Sequence, residues 1–342
     1  MQAPRFEKIR DLCLPAIEAR IEAYFADAAR SGLKMNAEMA RYHFSTGGKR
    51  LRALIPCWVY GAYGRDPIDG VELGAAIEMI HNATLVHDDL QDGDTVRRGQ
   101  PTVWKKYSEA QSINCGDAMF QFALQMLGEL ALAPVAYKRV TRRVVRGTLE
   151  VIEGQAQEFL MKEEAHPDVA RYLGVVEGKT AALLSTALVA ALEALELPAA
   201  LCDRASELCR LSGILFQIQD DVLDVYGDKQ RDRRATDIAE GKISYLVALF
   251  NGHASAADRA QVAEILRTPR ERTTDSQVQQ VIDLYDRYRI KDAAVNQMRQ
   301  MLRSIEVDPV LQGYPELHGL LVRLTHLFLE PIAHLIDSSR SQ

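Results

Sequence analysis

Much of what would mark a familiar function is missing from this chain. Five cysteines (Cys13, Cys57, Cys115, Cys202 and Cys209) are scattered over 342 residues with no CxxC pair among them. An odd, unclustered set argues against a zinc ribbon or a disulfide scaffold and fits buried or free thiols in a reducing, cytoplasmic compartment. An excess of positive charge is also missing. With a net charge of −6, the chain has no electrostatic basis for a nucleic-acid-binding surface. No charge-free apolar run approaches the roughly 18 residues of a membrane span. The first twenty residues, MQAPRFEKIRDLCLPAIEAR, carry charges throughout and lack the apolar centre of a signal peptide. Alternating β-branched segments are sparse, and no Gly/Ser/Pro-rich linker divides the chain.

What is present is helix-forming sequence, rich in Ala, Leu, Glu, Arg and Gln. The periodicity predicts helices over 5–31, 35–44, 48–62, 70–92, 111–131, 135–163, 168–177, 179–195, 199–226, 241–250, 256–267, 275–306 and 315–337. Segment 179–195 is apolar almost all round, as in the centre of a large bundle. The expected architecture is all-α: one helical domain over residues 1–342, with a motif-bearing core at 40–250 and a helical C-terminal part at 251–342.

Two acidic motifs stand out. Asp-Asp-Leu-Gln-Asp at 88–92 ends one apolar helix before Gly93, and Asp-Asp-Val-Leu-Asp at 220–224 ends another before Gly227. One such motif arises by chance with odds of roughly one in ten at this acidity, and two with odds on the order of one in a hundred. The last turn of a helix disfavours negative charge, so folding stability alone does not explain three acids there, twice. A cation does. Asp88 and Asp92 share a helix face, as do Gln217, Asp220/Asp221 and Asp224. Carboxylate-only donors suit Mg²⁺, which completes its shell with water and substrate phosphate oxygens. The metal motif therefore points to a phosphorylated substrate.

Three basic groups could receive it. Gly47-Gly48-Lys49-Arg50-Leu51-Arg52 opens a helix, with Lys49 and Arg52 one turn apart. It is not a Walker A loop, because the GxxxxGK[ST] spacing is absent. Arg97 and Arg98 follow the first acidic motif, and adjacent loop arginines can serve two anions. Gly178-Lys179-Thr180 and Glu240-Gly241-Lys242 form the third group. His81 lies on the Asp88 face, whereas His87 reads as structural.

In order along the chain, GGKRLR at 47–52, HDDLQD…RRG at 87–99, Gly116-Asp117, Lys179-Thr180, FQIQDDVLD at 216–224 and DIAEGK at 237–242 resemble the trans-isoprenyl diphosphate synthase (polyprenyl synthetase) family. The likeness spans about residues 45–250. It implies a helical bundle of the isoprenoid synthase type around a central apolar cavity, with a homodimer as the working form. It also implies condensation of isopentenyl diphosphate with an allylic diphosphate. By the same resemblance Asp88, Asp92 and Asp220, helped by Asp89, Asp221 and Asp224, hold Mg²⁺ on the allylic diphosphate. Arg97, Lys179 with Thr180, Gln217 and Lys242 contact that diphosphate or its surroundings, and Gly48, Lys49, Arg52, His81 and Arg98 match the isopentenyl diphosphate site. One departure stands out: where relatives carry Gly-Lys after the second motif, this chain has Arg231-Asp232. Lys229, Arg231, Arg233 and Arg234 are the replacements at hand.

Product length should depend on the helix below Asp88. Ala83 and Thr84, one turn back, are small, whereas bulky aromatics there in the family resemble a floor at fifteen carbons. A growing chain can then descend past Ile80 and Ile77, which gives a twenty-carbon product, geranylgeranyl diphosphate, with farnesyl and geranylfarnesyl diphosphate as neighbours. Met119, Phe120 and Phe122 are the alternative floor. The competing readings are a terpene cyclase and a non-catalytic subunit of a heteromeric synthase. Retention of all six aspartates and of GGKRLR weighs against both.

Overall fold

The structure, a computed structural model, describes residues 5–227 and 235–337. In chain order the helices are α1 (Phe6–Arg30), α2 (Lys34–Ser45), α3 (Leu51–Ala62) and α4 (Val71–Gln91). A two-residue hairpin follows, β1 (Val96–Arg97) and β2 (Gln100–Pro101), the only strands among the described residues. Then come α5 (Val103–Lys106), α6 (Glu109–Gly128), α7 (Pro134–Glu163), α8 (Val169–Val176), α9 (Ala182–Ala194) and α10 (Ala199–Tyr226). The remainder is α11 (Thr236–Ala239), α12 (Tyr245–His253), α13 (Ala256–Leu266), α14 (Asp275–Arg287), α15 (Ile290–Glu306), α16 (Pro315–Leu329) and α17 (Ala333–Asp337). The all-α expectation therefore holds. The region of the Arg231-Asp232 departure lies outside the described residues.

The helices group into two compact units. The first takes in the described residues up to Leu149, Leu183–Ser206 and Tyr314–Leu320. Here α4 packs along α6 and against α3. Ile77, Met79, Ala83 and Val86 of α4 are fully buried, as are Ala187–Leu192 of α9, which explains why those stretches are apolar on every side. The second unit takes in Glu150–Ala182, Glu207–Gly313 and the described residues from Leu321. Its α12 is buried from Tyr245 to Phe250, and the Phe250 ring meets Tyr285 and Tyr288 at 5.6 and 5.4 Å. In α15 the buried Ile290, Ala294, Met298, Leu302 and Ile305 recur at helical spacing and form one inward stripe.

Several elements differ from the sequence reading. The helix expected over 275–306 breaks at Arg289, which adopts a left-handed φ of 53° without being glycine. The helix expected over 315–337 passes through a 3₁₀ turn at Glu330–Ile332, where Pro331 removes an amide donor. By length and hydropathy alone two stretches, Val169–Ala194 and Pro315–Ile336, are long and apolar enough to cross a membrane, a test that core helices pass as well. In the first, 78% of the most apolar window is buried inside the protein, as core helices are.

Candidate active site

In the first unit, the apolar α4 runs into its acidic end at Asp88. Its stop is a Schellman arrangement: Asp94 N–H donates to the Asp89 carbonyl at 2.9 Å and Gly93 N–H to Leu90 at 3.3 Å, with Gly93 at φ 71°. No basic residue occupies the last turn of this helix. The three acids then part company. Asp89 is 1% exposed, and Arg97 grips it bidentately, with Nε 2.7 and 3.0 Å from its oxygens. Burial raises the Asp89 carboxyl above its ordinary range, and the Arg97 guanidinium opposes that shift. Asp88 is half-buried and Asp92 exposed, on the face one helical turn apart that faces outward.

Arg97 and Arg98 sit on the hairpin, where Arg98 and Gly99, at φ 51° and 77°, form its two-residue turn. Their side chains diverge as expected. Arg97 reaches Asp89, and Arg98 donates to the Gly47 carbonyl. That second contact ties the hairpin to the basic loop before α3. Gly47 and Gly48 take φ of 93° and 141°, and a Cβ on Gly48 would meet Arg98 Nη1 at 2.9 Å and Arg50 Nη1 at 3.1 Å. Only glycine fits there. Lys49 is exposed, and the half-buried Arg52 lies on the first turn of α3 with Nη1 3.3 Å from His81 Nε2. Burial and the neighbouring Arg52 hold His81 well below its ordinary pKa. The neutral ring therefore accepts at Nε2 from the guanidinium. The sequence-predicted Gly48, Lys49, Arg52, His81 and Arg98 thus belong to one locality of this unit.

Of the residues singled out for product length, Ala83, Ile80 and Ile77 are 0%, 3% and 0% exposed, whereas Thr84 keeps some accessible surface and donates its hydroxyl to the His81 carbonyl. Met119 is buried, Phe122 packs edge-on against Phe25, and Phe120 stands 5.9 Å from the His87 ring.

In the second unit, α10 carries Gln217 and the second acidic motif in its final turns, again with no basic residue in the last turn. Asp221 is 4% exposed and closely held. The Tyr172 hydroxyl donates at 2.5 Å, the Tyr245 backbone N–H at 2.7 Å and Gln217 Nε2 at 3.0 Å. Burial and the charge of Asp237 push its carboxyl up to about 7. Thr180 completes the chain by donating to Gln217 Oε1 at 3.2 Å. Asp224 accepts from the Thr236 hydroxyl at 2.7 Å and from Asp237 N–H at 3.0 Å, so it anchors the segment that bears Lys242. Lys242 itself is half-exposed beside Glu240, 2.8 Å away. Asp220 is half-buried on the face that Gln217 also occupies.

Lys179 lies in a π-helical turn, Glu177–Ala181, where a helix break was expected. Such widened turns recur at functional sites because they re-aim a side chain without ending the helix. Its ammonium is 2.6 Å from Glu158 on α7. α7 can approach the turn because Gly154 has no side chain; a Cβ there would come within 2.2 Å of the Lys179 nitrogen.

Sequence reasoning missed Tyr172, Tyr245, Arg50, Glu78 and Asn82. Glu78 had a signal: it is a lone acid within the apolar run Gly-Ala-Ala-Ile-Glu-Met-Ile. Tyr245 acts through its backbone, and no residue-type pattern marks that.

Among the described residues no three carboxylates, imidazoles or thiols close into a ready-made metal cage. The donor chemistry nevertheless fits a hard divalent ion. All candidate ligands are carboxylate oxygens at helix C-termini, and Asp88, Asp92 and Asp220 keep accessible surface.

An all-helical chain whose apolar helices end in DDxxD, with a Gly-Gly-Lys-Arg loop ahead of the first, defines the trans-isoprenyl diphosphate synthases as a class. The chain belongs to the polyprenyl synthetase family, whose sequence model matches residues 34–285, and is a trans-prenyltransferase. It is 31% identical over 270 residues to the short chain isoprenyl diphosphate synthase of Methanothermobacter thermautotrophicus, covering 77% of this chain and 81% of that one. It is 31% identical over 298 residues to the geranylgeranyl diphosphate synthase of Saccharolobus solfataricus, covering 80% and 86%. Its fold superposes on the crystal structure of geranylgeranyl pyrophosphate synthetase from Pyrococcus horikoshii with a TM-score of 0.81 over 97% of each chain, at 27% identity.

Proposed function

We propose that this prenyltransferase condenses isopentenyl diphosphate head-to-tail with an allylic diphosphate in a Mg²⁺-dependent reaction, and that its main product is geranylgeranyl diphosphate. The observation that carries the reading is the pair of acidic helix ends in a member of this family, each with accessible carboxylates and no basic residue in its last turn. Asp88 and Asp92 would hold metal at the first motif, where Asp89 fixes the Arg97 side chain, and Asp220 would hold metal at the second, where Asp221 and Asp224 fix the backbone around it. When bound, Mg²⁺ neutralises the leaving diphosphate. Arg97 adds positive charge beside the first motif, and Lys179 and Lys242 add it in the unit of the second, where Gln217 and Thr180 orient polar donors. Lys49, Arg52, Arg98 and neutral His81 bind the diphosphate of the second substrate; as the allylic C–O bond to the leaving diphosphate breaks, that substrate's alkene bonds to the allylic carbon, and the cation so formed loses a proton to the departed diphosphate. The apolar walls of the helices exclude water from the cationic intermediate.

The product assignment rests on Ala83 and Thr84, where no aromatic side chain blocks the path below Asp88. The names of the relatives favour it as well. A homodimer is supported by exposed apolar side chains on α6 and α7: Ile113, Leu124, Leu149 and Ile152 are 44–55% exposed. Five free, buried cysteines fit a reducing, cytoplasmic setting.

The test is to incubate the purified protein with isopentenyl and farnesyl diphosphates. Diphosphate release is measured with Mg²⁺ and with EDTA, and the products are sized. Release that requires the metal and a dominant twenty-carbon product are expected. A dominant product of fifteen or of more than thirty carbons overturns the length assignment, and turnover that survives Asp88→Ala and Asp220→Ala overturns the mechanism.

A further inference from the structure

Beneath the basic loop lies a buried charged cluster that the reaction chemistry does not use. Arg50 is 6% exposed, and its backbone adopts a left-handed φ of 50°. Its side chain turns inward over the Phe44 ring at 4.8 Å. There Nη2 donates to the Phe44 carbonyl at 2.8 Å and Nη1 to the Gly47 carbonyl at 3.3 Å. Glu78, 3% exposed on α4, stands 3.6 Å from Nη1. Asn82, one turn further on and 1% exposed, donates to Glu78 Oε1 at 3.0 Å.

Three of the four residues from Gly47 to Arg50 hold positive φ. Such a backbone persists only where its surroundings over-determine it. Here the determinants are two guanidiniums on either side of Gly48: Arg98 reaches the Gly47 carbonyl from the hairpin, and Arg50 reaches the same carbonyl from the core. A lysine, with one ammonium on a flexible stem, could not span the Phe44 and Gly47 carbonyls in this way. A buried guanidinium needs a counter-charge, which accounts for an acid in the middle of an apolar helix.

We propose that Arg50, backed by Glu78 and Asn82, is a positioning residue that sets the shape of the 47–49 loop and so tunes recognition of the diphosphate presented to Lys49. The inference rests on the reading that this loop takes the isopentenyl diphosphate. Arg50 acts through the loop and does not touch the ligand.

A merely stabilising pair makes a different prediction. Removing both charges with apolar residues of similar volume, as in the Arg50→Met/Glu78→Leu double variant, relieves the buried charge and should restore thermal stability lost in either single variant. It does not restore the donors to Phe44 and Gly47. The experiment compares wild type, Arg50→Lys, Glu78→Gln and the double variant, measuring the melting temperature and KM for each substrate. KM for isopentenyl diphosphate should rise roughly tenfold or more in all three, as misplaced binding groups produce, with KM for the allylic diphosphate unchanged. The double variant should regain stability while its KM for isopentenyl diphosphate stays raised. Recovery of both in the double variant, an equal rise for both substrates, or no rise in the single variants overturns the proposal. Calorimetric titration of isopentenyl diphosphate into wild type separates the two levels. If the wild type neither binds nor turns it over, the functional reading fails; if it does both and the variants match it, the positioning role alone fails.

Discussion

Removal of the Asp89 carboxylate would strand the half-buried Arg97 guanidinium that grips it at 2.7 and 3.0 Å. Asp89→Ala should therefore lower unfolding stability by about 1–3 kcal/mol in a denaturant titration, a buried-pair loss reduced by the partial exposure of Arg97. Asp88→Ala and Asp92→Ala should leave stability within about 0.5 kcal/mol of wild type and instead cut kcat by roughly 10²–10³ or more, as lost transition-state electrostatics do. This division was partly legible in the sequence. On a helix Asn82, Val86 and Asp89 share one side, and all three are buried, while Asp88 and Asp92 share another. The grip of Arg97 on Asp89 was not legible, because pairing between a helix and a following hairpin leaves no periodic trace. Two histidines add a pH dependence. Burial, with Arg97, Arg98 and Arg50 nearby, lowers His43 to about 3, and His81 is held well below its ordinary value. The unfolded chain, with histidines near 6.5, then binds more protons than the folded chain between these values, so stability is full above that pH and falls below it. His43 should contribute a loss of about 1.4 kcal/mol between pH 8 and pH 5.5, read from urea unfolding without ligand, and His81 a loss of the same sign. His43→Gln should flatten the profile.

At the scale of elements, the exposed and buried faces of α4 decide the product prediction. Thr84 keeps accessible surface one turn below Asp88, whereas Ala83 is fully enclosed. Thr84→Phe should shift the product distribution toward fifteen carbons with the protein still folded. The same change at Ala83 should cost about 1–3 kcal/mol of stability from overpacking. Product chromatography alongside thermal melting checks both. The π turn at Glu177–Ala181 offers a second test. Gly154→Ala places a methyl group within 2.2 Å of the Lys179 nitrogen, so it should displace that turn and lower kcat. The mid-helix site of Gly154 would by itself favour alanine, by about 1 kcal/mol. Helix positions were readable from apolar spacing, and the α10 boundaries, Ala199–Tyr226, fall where the pattern put them. The π turn was read as a break, since Gly178 and Lys179 look like a helix start. The kink at Arg289 had no sequence signal, because neither glycine nor proline marks it.

At the scale of the whole molecule, the all-α architecture and family follow from motifs that survive in order along the chain, and the fold matches that of a synthase only 27% identical. Sequence pattern showed one uninterrupted helical chain, but not that its contacts gather into two units, since no linker composition marks the boundary. The distribution of cysteines turns that division into something observable. All five thiols are free and at most 2% exposed. Cys13, Cys57, Cys115 and Cys202 belong to the first unit, and Cys209 alone to the second. An aromatic disulfide reagent should therefore meet a silent native protein and release colour only as the chain opens. Mass spectrometry of partly labelled chains then reports which unit opens first. Four marks without the fifth identify the first unit, a single mark on Cys209 identifies the second, and simultaneous arrival of all five shows that the enzyme opens as one cooperative body. The protein thus carries its own stopwatch for unfolding, with a separate hand for each unit.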